Sequence, residues 1–258
     1  MSSAVEDVVI VGAGLTGLLL ARELHKKGRR PVLLEKSRGA GGRMSTKRVE
    51  GAVFDQGAQF FTARTPRFAA EIEAWCEAGV AAPWPDGAPY RYVGRPAMNA
   101  VGKHLSAGLE VRREAKVLAV KRNAEAWEIT VENQPALHAR ELVLTAPVPQ
   151  SVALLAAGDV VLPADLAAEL RGLDYHPCLA LMLTLAETSA LPAGGLAPDD
   201  GGPVRWIADN TKKGVSPGTS SAVTVHLAPA FSEENYGRTE AEVLALVSPL
   251  ITPWLGAA

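Results

Sequence analysis

The first 35 residues constrain the fold of this 258-residue chain more than any other segment. Val8–Val11 is a short, apolar, β-branched run, which predicts a buried strand of a parallel sheet. A loop with the pattern Gly-x-Gly-x-x-Gly, Gly12–Gly17, follows at once, and Leu18–Lys27 then repeats apolar residues with helical periodicity. A second apolar run, Pro31–Leu34, ends at Glu35. Strand, turn, helix and strand in this order predict one βαβ unit.

The three glycines of this loop have different predicted roles in binding a dinucleotide. Gly12 permits a tight turn, Gly14 lets the backbone approach a pyrophosphate, and Gly17 lets the helix pack closely on the strand. The N-terminus of the helix offers free N–H groups and a positive dipole end to the phosphates. The alternative is a strand–helix turn with a purely structural role.

Glu35 stands at the end of the second strand, 18 residues after Gly17. A carboxylate at this place accepts hydrogen bonds from the ribose hydroxyls of an adenosine, and its charge disfavours a 2′-phosphate. A solvated surface glutamate is the alternative. The loop and Glu35 together fit NAD and FAD equally well.

Composition excludes several classes of protein. Hydrophobic residues make up 48% and charged residues 21%, which is typical of a globular protein and not of a disordered one. A net charge of −2 gives no basic face for a nucleic-acid partner. The five histidines show no metal-ligand spacing and no Cys-x-x-Cys occurs, so no metal site is predicted.

The N-terminus and the cysteines indicate a cytoplasmic protein. The apolar segment after residue 7 is preceded by Glu6 and Asp7, where a secretory signal would have Lys or Arg. No run of about 18 apolar residues occurs, so no membrane span is predicted. The two cysteines, Cys76 and Cys178, cannot form a disulfide framework and are expected to be reduced.

A second glycine-rich loop favours FAD over NAD as the cofactor. Gly41-Gly42-Arg43 follows Glu35 after five residues. Two glycines allow close approach of the backbone, and Arg suits bidentate binding of phosphate. An acidic residue followed by a Gly-Gly-Arg turn resembles the second fingerprint of the FAD-dependent amine oxidase superfamily, which implies FAD. The alternative is an ordinary glycine-rich loop with a surface arginine.

A further motif makes the resemblance more specific. The segment Asp55–Thr62, Asp-Gln-Gly-Ala-Gln-Phe-Phe-Thr, resembles the Asp-x-Gly-Ala-Gln stretch of the renalase-like branch of that superfamily. Leu15–Gly17 and Gly42–Thr46 fit the same branch. Trp206–Lys212 and Val225–Glu234 are similar to bacterial members, so the resemblance spans nearly the whole chain.

The resemblance implies cofactor contacts residue by residue. The residues expected to bind FAD are Gly12, Ala13, Gly14, Leu15, Thr16, Gly17, Glu35, Lys36, Gly42, Arg43, Met44, Gln59, Phe60, Val117, Thr145 and Pro147. Val117 matches the place where a backbone amide meets the adenine, and Thr145–Pro147 matches the strand end that returns to the cofactor. The candidate substrate residues are Trp206, Asn210 and His226, of which Trp206 and His226 are expected on strands. No catalytic acid or base is identified.

The resemblance implies an α/β fold, with a Rossmann-like FAD-binding domain built on a parallel sheet and a discontinuous α+β substrate domain. Residues 1–65 and 106–150 are expected in the FAD-binding domain. Residues 66–105 and 151–258 are expected in the substrate domain, with an antiparallel sheet as the floor of the substrate site. Alternating residues predict a hairpin of 109–122 with 126–132. A loop or irregular strand is predicted at 82–94, and a loop is predicted at 191–202.

The implied activity is that of a renalase-like FAD-dependent oxidoreductase. A hydride passes from a reduced nicotinamide-type donor to the flavin, and the electrons then pass to oxygen. The implied partner is a small molecule, a reduced nicotinamide nucleotide, with no nucleic acid and no membrane. An FAD-dependent amine oxidase or desaturase on the same scaffold is the alternative.

One feature of the superfamily is not found in these 258 residues. It is a C-terminal FAD segment in which a Gly-Asp pair on a strand precedes a glycine-rich turn and a long helix. The only Gly-Asp pair here, Gly158-Asp159, is not followed by glycines. This departure leaves open a different class of function, a non-catalytic nucleotide-binding protein with an incomplete flavin half of the site.

Overall fold

The computed structural model describes residues 5–85, 90–192, 194–198 and 201–256. The strands, in chain order, are β1 (Val5–Val11), β2 (Pro31–Leu34), β3 (Thr46–Val49), β4 (Ala52–Asp55), β5 (Phe61–Thr62), β6 (Ala81–Pro83), β7 (Arg91–Gly94), β8 (Glu110–Arg112), β9 (Val117–Arg122), β10 (Trp127–Val131), β11 (Leu137–Leu144), β12 (Ala180–Thr184), β13 (Val204–Asp209) and β14 (Ala222–Leu227). The helices are α1 (Leu15–Lys26), α2 (Pro66–Glu77), α3 (Asn99–Ser106), α4 (Val148–Ala157), α5 (Ala164–Arg171), α6 (Pro229–Asn235) and α7 (Glu240–Leu255). Gly42–Met44 forms a short 3-10 turn.

Segment 82–94, predicted as a loop or irregular strand, and segment 191–202, predicted as a loop, lie in part outside the described residues. The described part of the first segment contains β7 and the end of β6. Over the described ranges, none of the helices has the length and apolar character needed to cross a membrane.

The chain divides into two compact units, each built from two stretches of sequence. The first unit comprises residues 1–43 and 102–175, and the second comprises 44–101 and 176–258. These boundaries differ from the predicted domain boundaries after residues 65, 105 and 150. The assignment of a FAD-binding and a substrate domain therefore stays a prediction.

A six-stranded sheet forms the centre of the first unit, in the order β8-β2-β1-β11-β10-β9. The first four strands are parallel, whereas β10 and β9 run antiparallel. The βαβ unit predicted from the glycine loop is present, with Val8–Val11 paired to Pro31–Leu34 on one side and to 141–144 on the other. Apolar side chains of these strands form the core, and the fold class is α/β as predicted.

The hairpin predicted for residues 109–122 and 126–132 is only partly correct. β9 and β10 form it, but β8 pairs in parallel with β2 instead. Between β8 and β9 the backbone turns at Glu114, with φ of 53°, and the N–H of Ala115 donates to the carbonyl of Glu35. Alternation along the sequence cannot show this break, because both strands bury alternate residues in the same core.

Three antiparallel sheets belong to the second unit, in the orders β12-β14-β13, β5-β7-β6 and β3-β4. The central strand β14 buries Val223, Val225 and Leu227 against α7. Helix α7 contributes one apolar side chain per turn at Val243, Val247, Ile251 and Leu255, which is the spacing of a buried helix face. A capping box of Thr239 and Glu242 defines the start of this helix.

Candidate functional site

The glycine loop of the first unit has the backbone that its residue pattern predicts. Gly12 adopts φ of 102°, a region that L side chains rarely occupy. A Cβ atom on Gly17 would lie 2.2 Å from the carbonyl oxygen of Gly12, so only glycine allows helix α1 to come this close to the loop. The hydroxyl of Thr145 lies 3.0 Å from the carbonyl oxygens of Val11 and Gly12 and donates to this part of the loop. Thr145, predicted to contact FAD, thus also holds the loop in shape.

The N-terminus of α1 is open. Gly14 is its N-cap residue in an extended conformation, and no side chain of the described residues caps the helix. The N–H of Leu18 makes the first intrahelical hydrogen bond, to the carbonyl of Gly14, so the N–H groups of residues 15–17 have no partner within the helix. A Cβ atom on Gly14 would meet nothing within 4 Å. Free donors beside open space form a cradle for phosphate oxygens.

Glu35 is buried next to this cradle, with 6% of its surface exposed. Its Oε2 accepts a hydrogen bond from the N–H of Ala13, and its Oε1 accepts one from the N–H of Ser37, both at 2.9 Å. A carboxylate has about four acceptor positions, so both oxygens can still accept hydrogen bonds from ribose hydroxyls. Glu35 is therefore not a solvated surface residue, and it connects the glycine loop to the end of β2.

The Gly-Gly-Arg loop contacts the glycine loop directly. Gly41 forms a parallel bridge with Gly14, and its N–H donates to the carbonyl of Ala13 over 2.8 Å. A Cβ atom on Gly42 would lie 3.2 Å from the Cα of Gly14. Arg43, which follows, is exposed. The two glycine motifs are thus parts of one backbone structure.

The remaining predicted FAD contacts of the first unit lie at its edges and in its core. Thr16 and Lys36 are exposed, whereas Val117 begins β9 and packs in the core of the unit. Pro147 is the N-cap residue of α4. Direct contact of these four residues with FAD stays a prediction.

A buried ion pair lies in the second unit, where the sequence analysis had singled out only its acidic member as part of a motif. Nζ of Lys213 lies 3.2 Å from Oδ2 of Asp55, and both side chains are fully buried. The other oxygen of Asp55 accepts hydrogen bonds from the N–H of Met98 and the hydroxyl of Thr46. Burial lowers the pKa of Lys213, although the Asp55 carboxylate opposes this shift. Nothing in the sequence distinguishes Lys213 from the partly exposed Lys212 beside it.

Two predicted ligand contacts, Gln59 and Asn210, have their side-chain amides engaged around this pair. Oε1 of Gln59 accepts from Lys213 at 3.0 Å, and its Nε2 donates to the carbonyls of Asp55 and Gly57. Oδ1 of Asn210 accepts the N–H of Asp55, and its Nδ2 donates to Thr224 and to a neighbouring carbonyl. Both amides therefore hold the 55–59 turn against the sheet.

His226 lies on β14 opposite Trp206 of β13, so these two candidate substrate residues share one face of the sheet. Nε2 of His226 donates a hydrogen bond over 2.9 Å to the carbonyl oxygen of Gln56. Burial lowers the pKa of His226, which favours the neutral imidazole. Both strands were predicted at these positions, and both are present.

The second unit also contains an aromatic cluster, which consists of Phe60, Trp84 and Trp206. The centroids of these rings lie 5.2–6.0 Å apart. The guanidinium of Arg91 lies 4.7 Å from the ring centroid of Phe60 and 5.6 Å from that of Trp206. Met44, a predicted FAD contact, is buried in the same unit. Sequence reasoning missed Trp84 and Arg91, because their proximity depends on the pairing of β6 with β7.

Comparison with known proteins identifies the family. A family model described as an NAD(P)-binding Rossmann-like domain matches residues 10–72. A second model, described as flavin containing amine oxidoreductase, matches residues 89–258, which is more than half of the chain. The chain belongs to the flavin-containing amine oxidoreductase family. This confirms the predicted superfamily and FAD as the cofactor. The assignment to the renalase-like branch stays a prediction.

Individual relatives match over short segments. Putrescine oxidase of Kocuria rosea is 45% identical over 56 residues, covering 22% of this chain and 12% of the relative. A 4,4'-diapophytoene desaturase of Staphylococcus haemolyticus is 44% identical over 50 residues, or 19% of this chain and 10% of the relative. The chain thus matches only about a tenth of the length of these relatives.

The fold is shared over a much longer stretch. The structure of cyclohexylamine oxidase from Brevibacterium oxydans superimposes with a TM-score of 0.70 at 13% identity. The match covers 98% of this chain and 82% of that one. At this identity the similarity concerns the fold alone.

FAD fits the residues of the first unit. The free N–H groups after Gly14 suit the pyrophosphate, the carboxylate of Glu35 suits the adenosine ribose, and the exposed Arg43 is available for the phosphates.

We expect Glu35→Ala to weaken ADP binding by about 1–3 kcal/mol, because charge-assisted hydrogen bonds are lost. Titration calorimetry measures this, with Glu132→Ala on the surface of the same unit as the control. An unchanged dissociation constant for Glu35→Ala would contradict the assignment.

Proposed function

We propose that this protein is a cytoplasmic, renalase-like FAD-dependent oxidoreductase that takes a hydride from a reduced nicotinamide-type small molecule. The cofactor part of the proposal rests on two observations. The two glycine motifs contact each other directly, and the buried Glu35 carboxylate accepts a hydrogen bond from the first of them. The motif Asp55–Thr62 supports the donor part, because it resembles the renalase-like branch.

The chain's own residues bind and orient the cofactor. Bound FAD would supply the redox chemistry, as the hydride acceptor for the donor and the two-electron reductant of oxygen. The backbone of residues 15–17 and Glu35 would hold the adenosine and pyrophosphate. In the second unit, Lys213 and Asp55 hold the 55–59 turn in one conformation, which gives the residues of this motif fixed positions.

The state of the buried ionisable groups favours a hydride donor over an amine. An amine substrate arrives as an ammonium ion and must lose a proton before it can lose a hydride, whereas a dihydronicotinamide needs no such step. Lys213 and Asp55 neutralise one another, and the Nε2–H of His226 is held by the carbonyl of Gln56. These three groups of the second unit are therefore engaged in structural contacts.

Three alternatives stand beside the main proposal, two of them enzymatic. The names of the Kocuria and Staphylococcus relatives suggest an amine oxidase or a desaturase. A non-catalytic nucleotide-binding protein is the third possibility, and it would bind ADP about as tightly as FAD.

The test uses the purified protein with FAD and no oxygen. Gel filtration first removes free FAD, and a visible spectrum of the protein fraction with the two bands of oxidised flavin then shows that FAD is bound. NADH, its 2- and 6-dihydro isomers, putrescine and benzylamine are then added separately, and loss of the flavin band is followed. We expect the dihydronicotinamide isomers to bleach the flavin faster than either amine. Faster bleaching by an amine would establish an amine oxidase. A protein that binds ADP as tightly as FAD and is bleached by none of these donors would contradict both enzymatic functions.

A further inference from the structure

Among the described residues, Arg91 has no acidic partner. Its side chain is half-buried, and its guanidinium stacks on Phe60 and Trp206. Within the described part of the chain, this guanidinium makes no ion pair and no hydrogen bond. Stacking keeps the planar group in one orientation, so that its N–H fork is available to a ligand at little cost in entropy.

The rings around Arg91 also carry unpaired donors. The indole N–H groups of Trp84 and Trp206 are buried and have no acceptor among the described residues. Trp84 is 1% exposed and Trp206 is 9% exposed. A buried donor without an acceptor is unfavourable and uncommon in native proteins, so its presence twice in one cluster points to a missing acceptor.

Among the described residues, the charged groups that lie over these rings are cations. Nζ of Lys213 lies 5.5 Å from the ring centroid of Trp84, and its charge is balanced within its own ion pair. The carboxylate of Asp55 pairs with this lysine and does not contact Arg91. Arg91 and the two indoles have N–H donors and no acceptor atoms, so an ammonium group would be repelled and an oxygen anion attracted.

We propose that Arg91, Trp84 and Trp206 form a subsite for the anionic oxygen group, carboxylate or phosphate, of a ligand with a planar ring. The ring would stack on the aromatic cluster, and the anion would take the fork of Arg91. The subsite rests on the proposed function, because it is assigned to the substrate of the same enzyme. It narrows that function to anionic substrates and excludes simple amines.

Two ligands with the same ring and opposite charge test the subsite in the FAD-loaded protein. Calorimetric titration compares benzoate with benzylamine, and inorganic phosphate is a third ligand. We expect benzoate to bind at least tenfold more tightly than benzylamine. Tighter binding of phosphate than of benzoate would identify the phosphate of the substrate as the recognised group. Equal or tighter binding of benzylamine, or no binding of either anion, would overturn the proposal.

Arg91→Met tests the residue itself, because it removes the charge and keeps an unbranched apolar chain on the rings. We expect benzoate affinity to fall by at least about tenfold, the equivalent of one charge-assisted hydrogen bond. Arg122→Met is the matched control, since Arg122 lies 5.5 Å from the ring of Trp127 in the first unit. Arg91→Lys, which keeps the charge without the fork, should give an intermediate loss and serves if the Met variant does not fold. Wild-type affinity in both Arg91 variants would overturn the assignment.

The two proposals fail separately. If dihydronicotinamide isomers bleach the flavin but benzylamine binds as tightly as benzoate, the subsite is wrong and the proposed function stands. If benzoate is preferred and depends on Arg91 but no dihydronicotinamide bleaches the flavin, the subsite stands and its substrate is a different anion.

Discussion

Replacing Lys213 by Met is expected to lower the free energy of unfolding by about 3–5 kcal/mol, because a buried carboxylate loses its counter-charge. Asp55 is fully buried and lies 3.2 Å from Nζ of Lys213. Gln59 would lose the donor to its side-chain oxygen at the same time. Urea denaturation followed by circular dichroism measures the change.

Two further variants separate the charge effect from simple loss of packing. Adding Asp55→Asn to Lys213→Met removes the unpaired charge and keeps an acceptor for Met98 and Thr46, so we expect it to recover part of the loss. Lys116→Met breaks an exposed pair with Glu132 and should cost less than about 1 kcal/mol. A loss for Lys213→Met no larger than that of Lys116→Met would contradict the structure of the pair.

Replacing Gly14 by Val is expected to weaken both FAD and ADP binding by more than about a hundredfold, or roughly 2.7 kcal/mol. The new side chain would fill the space beside the free N–H groups of residues 15–17, where the pyrophosphate is expected. The chain should still fold, because Gly14 has φ of −75° and its Cβ would meet nothing within 4 Å. The cost in stability should be about 1 kcal/mol, that of a poor N-cap residue.

Other glycines of the same region provide the controls. Gly39→Ala places a Cβ in open space in the same unit and should change neither binding nor stability. Gly17→Ala places a Cβ 2.2 Å from the carbonyl oxygen of Gly12, so we expect loss of folding stability as well as of binding. Calorimetry and thermal unfolding monitor the two properties separately. Wild-type FAD affinity in Gly14→Val would contradict the pyrophosphate assignment.

Local patterns in the sequence were enough to predict the βαβ unit and the FAD family. Each depends on residues that lie within about 20 positions of one another, where periodicity and glycine spacing directly report burial and backbone shape. The Gly-Gly-Arg loop and the glycine loop were recognised separately in the same way. Their contact through Gly41 and Gly14 was not predicted, because it depends on how the chain returns after β2.

Residues far apart in the chain were brought together only by the tertiary structure. Lys213 and Asp55 are 158 positions apart, and their pairing depends on the packing of β4 against β14. Arg91 meets Trp206 because two different sheets of the second unit present these residues to one cluster. The sequence likewise did not predict that β8 pairs with β2 while β9 pairs with β10, since β8 and β9 follow the same alternation of residues. The sequence by itself therefore determined the family, the cofactor and the local elements. Strand register and sheet packing decided which charges are buried and which donors remain free, because these depend on contacts that no local pattern encodes.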